Sequence, residues 1–362
     1  MSKPDTDNKR TSMTGVYVYF ALAFVSIIIL GGFYIFGHNL KDIRQAPESS
    51  PVLPGITGKV NQGLQARLTP EETMAEPAAE YDDRQMEDMI REFSDNFPGN
   101  TGIIFHDFET GFSVRINPHK VFESASLVKL PIMLTIYEMM EQGKVHASQE
   151  IILNESHKTG GAGILKNEPT GTRWSVDKLL ELMITESDNT ATDMLIELAG
   201  MDTVEETCRS MGMDKTTLKR KIFDFDAIEQ GYDNLTTPGD IFRFYQMLYE
   251  GCPINPQGRA SMLNRLKRQE RNHIIPKNLP NVEIAHKTGS LTGIIHDAGV
   301  IYPPKRKPYI LILMSDGVSD HEKAEAEFAR LSGEIFRIIT EEQVSEIETE
   351  ENHHEMENSQ PR

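Results

Sequence analysis

Apolar residues recur at Met86, Met89, Ile90 and Phe93 within the charged stretch DDRQMEDMIREFSDNF. Intervals of three and four predict an amphipathic helix there. Two short strand candidates follow, TGIIFHDF and GFSVRI, joined around Glu109-Thr110-Gly111 as a predicted hairpin. From Ser126 to about Gln269 the pattern is helical almost throughout, in LVKLPIMLTIYEMMEQG, SVDKLLELMIT, NTATDMLIELAG, VEETCRSMG, DIFRFYQMLYEG and PQGRASMLNRLKRQ. Strand signals return only at NVEIAHKTG, GIIHDAGVIY and PYILILMSDG, and the amphipathic stretch EKAEAEFARLSGEIFRIIT closes the pattern. This order predicts an α/β fold with one sheet assembled from both ends of the chain and an all-helical lobe beside it.

The segments flanking this pattern differ in kind. Residues 15–37 run without a charge, long enough as a helix to span the roughly 30 Å hydrocarbon core, so a transmembrane anchor is expected. Lys3, Lys9 and Arg10 on its N-terminal flank put residues 1–14 in the cytoplasm and the bulk of the chain outside, in the periplasm or at the cell surface. Residues 38–81, rich in Pro, Gly, Gln and Glu, have no apolar period and are expected to form a stalk. The folded part is expected over 82–340. Residues 341–362, with eight Glu and one Arg, are expected as a disordered acidic tail.

The net charge of −18 comes without a basic stripe, which argues against nucleic acid as a partner. Cys208 and Cys252 are the only cysteines, too few for a disulfide framework or a Cys-rich metal site. His353-His354 in the tail has no further ligand at metal spacing, so neither a metal nor another cofactor is expected.

The candidate chemistry begins at FESASLVKLPIM, where Ser126 precedes Lys129 by three positions as an apolar stretch starts. Positions i and i+3 share a helix face, so the lysine nitrogen reaches the hydroxyl, and a desolvated lysine takes its proton. One S-x-x-K is weak by itself. Ser175…Lys178 repeats it, with Ser175 placed as a helix N-cap; Ser-Asp-Asn occurs at 94–96 and 187–189, and Lys-Thr-Gly at 158–160 and 287–289. Order separates the copies. Ser126…Lys129, Ser187-Asp188-Asn189 and Lys287-Thr288-Gly289 fall on a helix start, a junction between apolar helices, and a strand end.

That ordered triple resembles the class A β-lactamases and related penicillin-binding proteins, and the resemblance extends through LLELMITESDNTATDMLIELAG and AHKTGSLTGIIHDAGV over about residues 82–340. It implies a serine β-lactamase/DD-peptidase-like fold, with the site between sheet and lobe. Ser126 would be the nucleophile and Lys129 its proton acceptor. Ser187 would relay a proton to the leaving nitrogen, with Lys287 adding positive potential. Asn189 would hold the substrate's side-chain amide, Thr288 its carboxylate, and the N–H groups of Ser126 and Ser290 its oxyanion. Gly289 would let a peptide-like substrate approach the strand closely. Asp188 is expected to be structural, as is a His296-Asp297 pair.

Two departures from the family pattern matter. The glutamate that activates the deacylating water is missing: Ile222 stands about where it belongs, and Asp224, Asp226 and Glu229 are the nearby acids that could substitute. Thr292 replaces an arginine common in the family, leaving carboxylate recognition to Lys287 and Thr288. The expected activity is opening of β-lactam amides through an acyl-enzyme with slow deacylation. The alternatives are a D-alanyl-D-alanine peptidase acting on peptidoglycan peptides, or a penicillin sensor without turnover. The sequence leaves the oligomeric state open.

Overall fold

The computed structural model describes residues 81–251 and 253–358, of which 341–358 are described as backbone only. The expected anchor at 15–37, its cytoplasmic flank 1–14 and nearly all of the stalk lie outside the described residues. Among the described residues, no helix is long and apolar enough to cross a membrane.

Helix α1 (Asp83–Asn96) starts where the Asp82 carboxylate accepts the N–H groups of Arg84 and Gln85, and it buries Met86, Ile90 and Phe93. Strands β1 (Asn100–Asp107) and β2 (Ser113–Ile116) form the expected hairpin. The late strands β7 (Glu283–Leu291), β8 (Ile294–Tyr302) and β9 (Tyr309–Asp316) join it in one five-stranded sheet of order β2-β1-β9-β8-β7, antiparallel throughout. Both faces of this sheet are covered, which is why β9 reads as a continuous apolar run. Its Ile310, Ile312 and Met314 join the core of the helical lobe; Tyr309, Leu311 and Leu313 join a second core with α1 and the last helix, α9 (His321–Asn358).

The lobe is built around α2 (Lys129–Glu141), whose residues from Lys129 to Tyr137 are all buried. A helix apolar on every side belongs at a core's centre, and this one carries the candidate lysine into it. Around it lie α3 (Val176–Thr185), α4 (Asn189–Ala199), α5 (Met201–Ser210), α7 (Pro238–Glu250) and α8 (Pro256–Leu266), with the short exposed α6 (Phe225–Glu229) on the surface.

Two ribbons too short to show any period interrupt the stretch expected to be helical. One pairs β4 (Glu150–Ile152) with β5 (Arg173–Ser175); the other pairs β3 (Phe122–Glu123) with β6 (Leu235–Thr236). The second fastens the chain just before Ser126. Helical backbone in α9 also continues past residue 340 to Asn358, consistent with the good helix propensity of a Glu-rich run, so no secondary-structure boundary falls at 340.

Candidate active site

Ser126 does not lie within the α-helix. It sits in a preceding 3₁₀ turn, Ala125–Val128, and α2 begins only at Lys129. Three residues per turn eclipses i and i+3, which brings Lys129 Nζ to 3.1 Å from Ser126 Oγ. The turn is anchored by Ser124 N–H donating to Asn234 O at 2.8 Å, and Ala125 takes a φ of +45°. That conformation is costly for alanine and marks a turn imposed by its surroundings.

Lys129 is fully buried, and its Nζ lies 2.8 Å from Asn189 Oδ1, 2.8 Å from Ser187 O and 3.0 Å from Ser187 Oγ. Burial, and next the nearby Lys287 ammonium, hold its pKa well below the usual lysine range. When neutral, the amine donates to Asn189 Oδ1 and Ser187 O, leaving its lone pair to accept the Ser126 proton.

Ser187 occupies the junction between α3 and α4 with a φ of +60°, and its hydroxyl donates to Ser126 Oγ at 3.1 Å. Asp188 is structural, as expected. Its carboxylate caps α4 at Ala191 N–H and accepts the N–H groups of Ile164 and Leu165. The second Lys-Thr-Gly copy proves to be scaffold: Gly160 O accepts from Asn189 Nδ2 at 2.9 Å, and Thr159 donates to Asp193 at 2.6 Å. Ser175 caps α3 through Lys178 N–H, and Ser94 pairs with Thr101, so neither of those motif copies is at the site.

Strand β7, the sheet edge, brings the third motif in. Lys287 is fully buried, with Nζ 3.1 Å from Ser187 Oγ and 3.0 Å from Thr288 O. Burial first, then Arg271, pushes its pKa down to about 7. A methyl at Gly289 would lie 3.2 Å from Ala125 Cβ and 3.3 Å from Ser126 N, so glycine keeps the strand close to Ser126. Ser126, Ser187, Asn189, Thr288, Gly289 and Ser290 line one cleft of about 540 Å³.

Arg271 lines the same cleft, and no motif announced it. Its charge depresses both lysines, while no protein acceptor binds its guanidinium among the described residues. It supplies the free cation that Thr292, also on the cleft wall, does not. Carboxylate recognition therefore need not rest on Lys287 and Thr288 alone.

Ile222 does face the cleft, and its N–H donates to Asp193 at 2.9 Å. The three nearby acids are not brought there. Asp224 caps α6 at Ala227 N–H, and Asp226 and Glu229 are exposed on that helix. The carboxylates on the cleft wall are Asp233, ion-paired with Arg220 at 2.7 Å, Glu325, 3.4 Å from His273, and Glu123. The expected His296-Asp297 pair is not formed, because neighbours on a strand point to opposite faces. Asp297 instead binds His286 at 2.8 Å, while His296 Nε2 reaches Glu123 O at 2.9 Å.

A hydroxyl beside a dry amine, a second hydroxyl between two lysines, and an open strand edge serve acyl transfer through a serine ester. The fold and the site thus define an active-site serine hydrolase. The chain belongs to the β-lactamase enzyme family, which matches residues 85–339. A β-lactamase of Streptomyces fradiae is 29% identical over 291 residues, covering 75% of this chain and 94% of its own. The solved β-lactamase of Sphaerobacter thermophilus superposes with a TM-score of 0.66 at 27% identity, covering 71% of this chain and 98% of its own. PBP-A shares the fold at 24% identity with a TM-score of 0.65, covering 70% and 95% respectively.

Proposed function

We propose that the protein opens β-lactam amides by acylating Ser126 and releases the acyl group slowly. Attack by Ser126 on the lactam carbonyl passes its proton to Lys129. Ser187 then relays a proton to the departing nitrogen, and Lys287 and Arg271 hold the substrate carboxylate. The names of the related enzymes support the substrate class. The observation that carries slow release is Ile222, an apolar side chain on the cleft wall where a deacylating acid is expected, with the nearby loop acids facing elsewhere. A positioned general base is worth about 10² to 10⁴ in rate, so without one the ester outlives its formation.

Rapid mixing with a chromogenic β-lactam tests this. One equivalent should be released in a burst, followed by slow turnover, with intact mass showing the adduct on Ser126. Burst-free fast hydrolysis that Glu123→Gln abolishes would overturn slow release and name that carboxyl as the base. The same persistence favours a second reading, a peptidase acting on acyl-D-alanyl peptides of peptidoglycan, since β7 leaves an edge on which an extended peptide can pair. Release of D-alanine from such a peptide would select it. A stable adduct with no turnover of either substrate would instead indicate a sensor.

We further propose that residues 15–37 anchor the chain in the membrane with the catalytic part outside. Their uncharged length supports this. Recovery of the intact chain in the soluble fraction, or a mature N-terminus beyond residue 37, would refute it.

A further inference from the structure

Four of the seven large hydrophobic side chains exposed among the described residues fall within ten positions: Phe223, Phe225, Ile228 and Tyr232. Exposed apolar residues scattered singly need no explanation, but a cluster on the rim of a cleft does. Phe223, Phe225 and Ile228 line the same cleft as Ser126. The two phenyl rings stack, with centroids 5.9 Å apart and planes 15° from parallel.

The backbone holds this pair in place at a cost. Phe223 has a φ of +54°, a left-handed conformation that a bulky residue rarely adopts. It persists between two fixed neighbours: Ile222 N–H is bound by Asp193, and Asp224 caps α6. The facing wall makes room. A β-carbon at Gly161 would stand 2.7 Å from the Phe223 ring and 2.8 Å from Asn189 Nδ2, so only glycine lets ring and amide flank that point. The ring therefore borders the amide that holds the substrate's acyl-amino group.

We infer that Phe223 and Phe225 form a subsite for an apolar, aromatic acyl side chain on the substrate, and that this rim selects such substrates over those with charged side chains. The inference rests on the proposed acylation of Ser126 by an amide-bearing lactam. Such a group leaving water for the stacked rings gains apolar contact and an offset ring partner. A charged chain would lose hydration against Phe223, Phe225 and Ile228 without gaining a partner.

The test compares acylation rates of two penicillins sharing one nucleus, one with a phenylacetyl and one with an aminoadipyl side chain, in the full-length protein and its Phe225→Ala and Phe223→Ala variants. The unaltered chain should prefer the phenylacetyl compound by about 10-fold or more, and each variant should lose most of that ratio. Phe225, 65% exposed, can be truncated without emptying the core. A ratio that survives both substitutions, or a ratio near one in the unaltered protein, would overturn the subsite. In parallel, binding of phenylacetylglycine, which has no lactam bond, is followed by NMR titration. If neither penicillin acylates the protein, the proposed function fails, and this titration decides the rim separately: weaker binding in the variants sustains it, and equal binding overturns it.

Discussion

A lysine surrounded by water is a poor base at neutral pH, and Lys129 escapes that limit because α2 carries it into a dry core beside a second buried lysine. Lys129→Ala should lower the acylation rate by about 10² or more, and Ser126→Ala should abolish adduct formation, both read by intact mass. Lys287, with a pKa near 7, should set an alkaline limit. As pH rises through that value the ammonium that attracts the substrate carboxylate is lost, so second-order acylation should fall above about pH 7. Lys287→Arg, charged at every accessible pH, should move that fall to much higher pH if the variant remains active. Arg271→Ala should weaken capture of carboxylate-bearing substrates by about 10-fold or more, the worth of a lost charge-assisted hydrogen bond. An unchanged KM would show that the free guanidinium has no part in recognition.

Among the elements, the short β3–β6 ribbon and strand β8 together hold the turn that carries Ser126. His296 ties β8 to β3 through Nε2, 2.9 Å from Glu123 O, while its Nδ1 lies 2.8 Å from Ile295 O and 3.3 Å from Ser315 N. Burial depresses the ring's pKa to about 4, outweighing the two carbonyl contacts that favour the protonated form. Below about pH 6.5 the unfolded chain binds a proton that the native chain refuses, so stability falls with acid until pH 4. At pH 5 this group alone should remove about 2 kcal/mol relative to pH 7, measured by denaturant unfolding. His296→Gln should flatten that part of the pH dependence even if it lowers stability overall. On the proposed mechanism, the segment carrying Ile222 governs release of the acyl group. Ile222→Glu should accelerate release of the acyl group by about 10² or more if its carboxylate reaches the water, with the burst amplitude shrinking accordingly.

For the molecule as a whole, packing takes in Tyr81, the residue just before the boundary that the apolar pattern suggested. Tyr81 is buried against Phe105 and Phe112, and its hydroxyl donates to Asp107 at 3.1 Å. A chain starting at Asp82 should still fold and acylate, yet unfold about 2 kcal/mol more easily than one starting at Tyr81, by loss of a buried aromatic. Sequence periodicity alone determined the division into sheet and lobe, because each long element buries one consistent face or, like β9, both. The candidate catalytic residues came instead from the order of three short motifs and the family that this order resembles. What the sequence left undecided depends on contacts between distant segments. Whether Ser126 sits in a 3₁₀ turn or a helix, which acid faces the cleft, and that Asp297 binds His286 are settled by packing across the sheet. Arg271 is the clearest case: a lone arginine outside any motif becomes a cleft residue only when the end of α8 is laid beside β7. Local pattern carries no information about which unpaired charge the fold will leave facing the substrate.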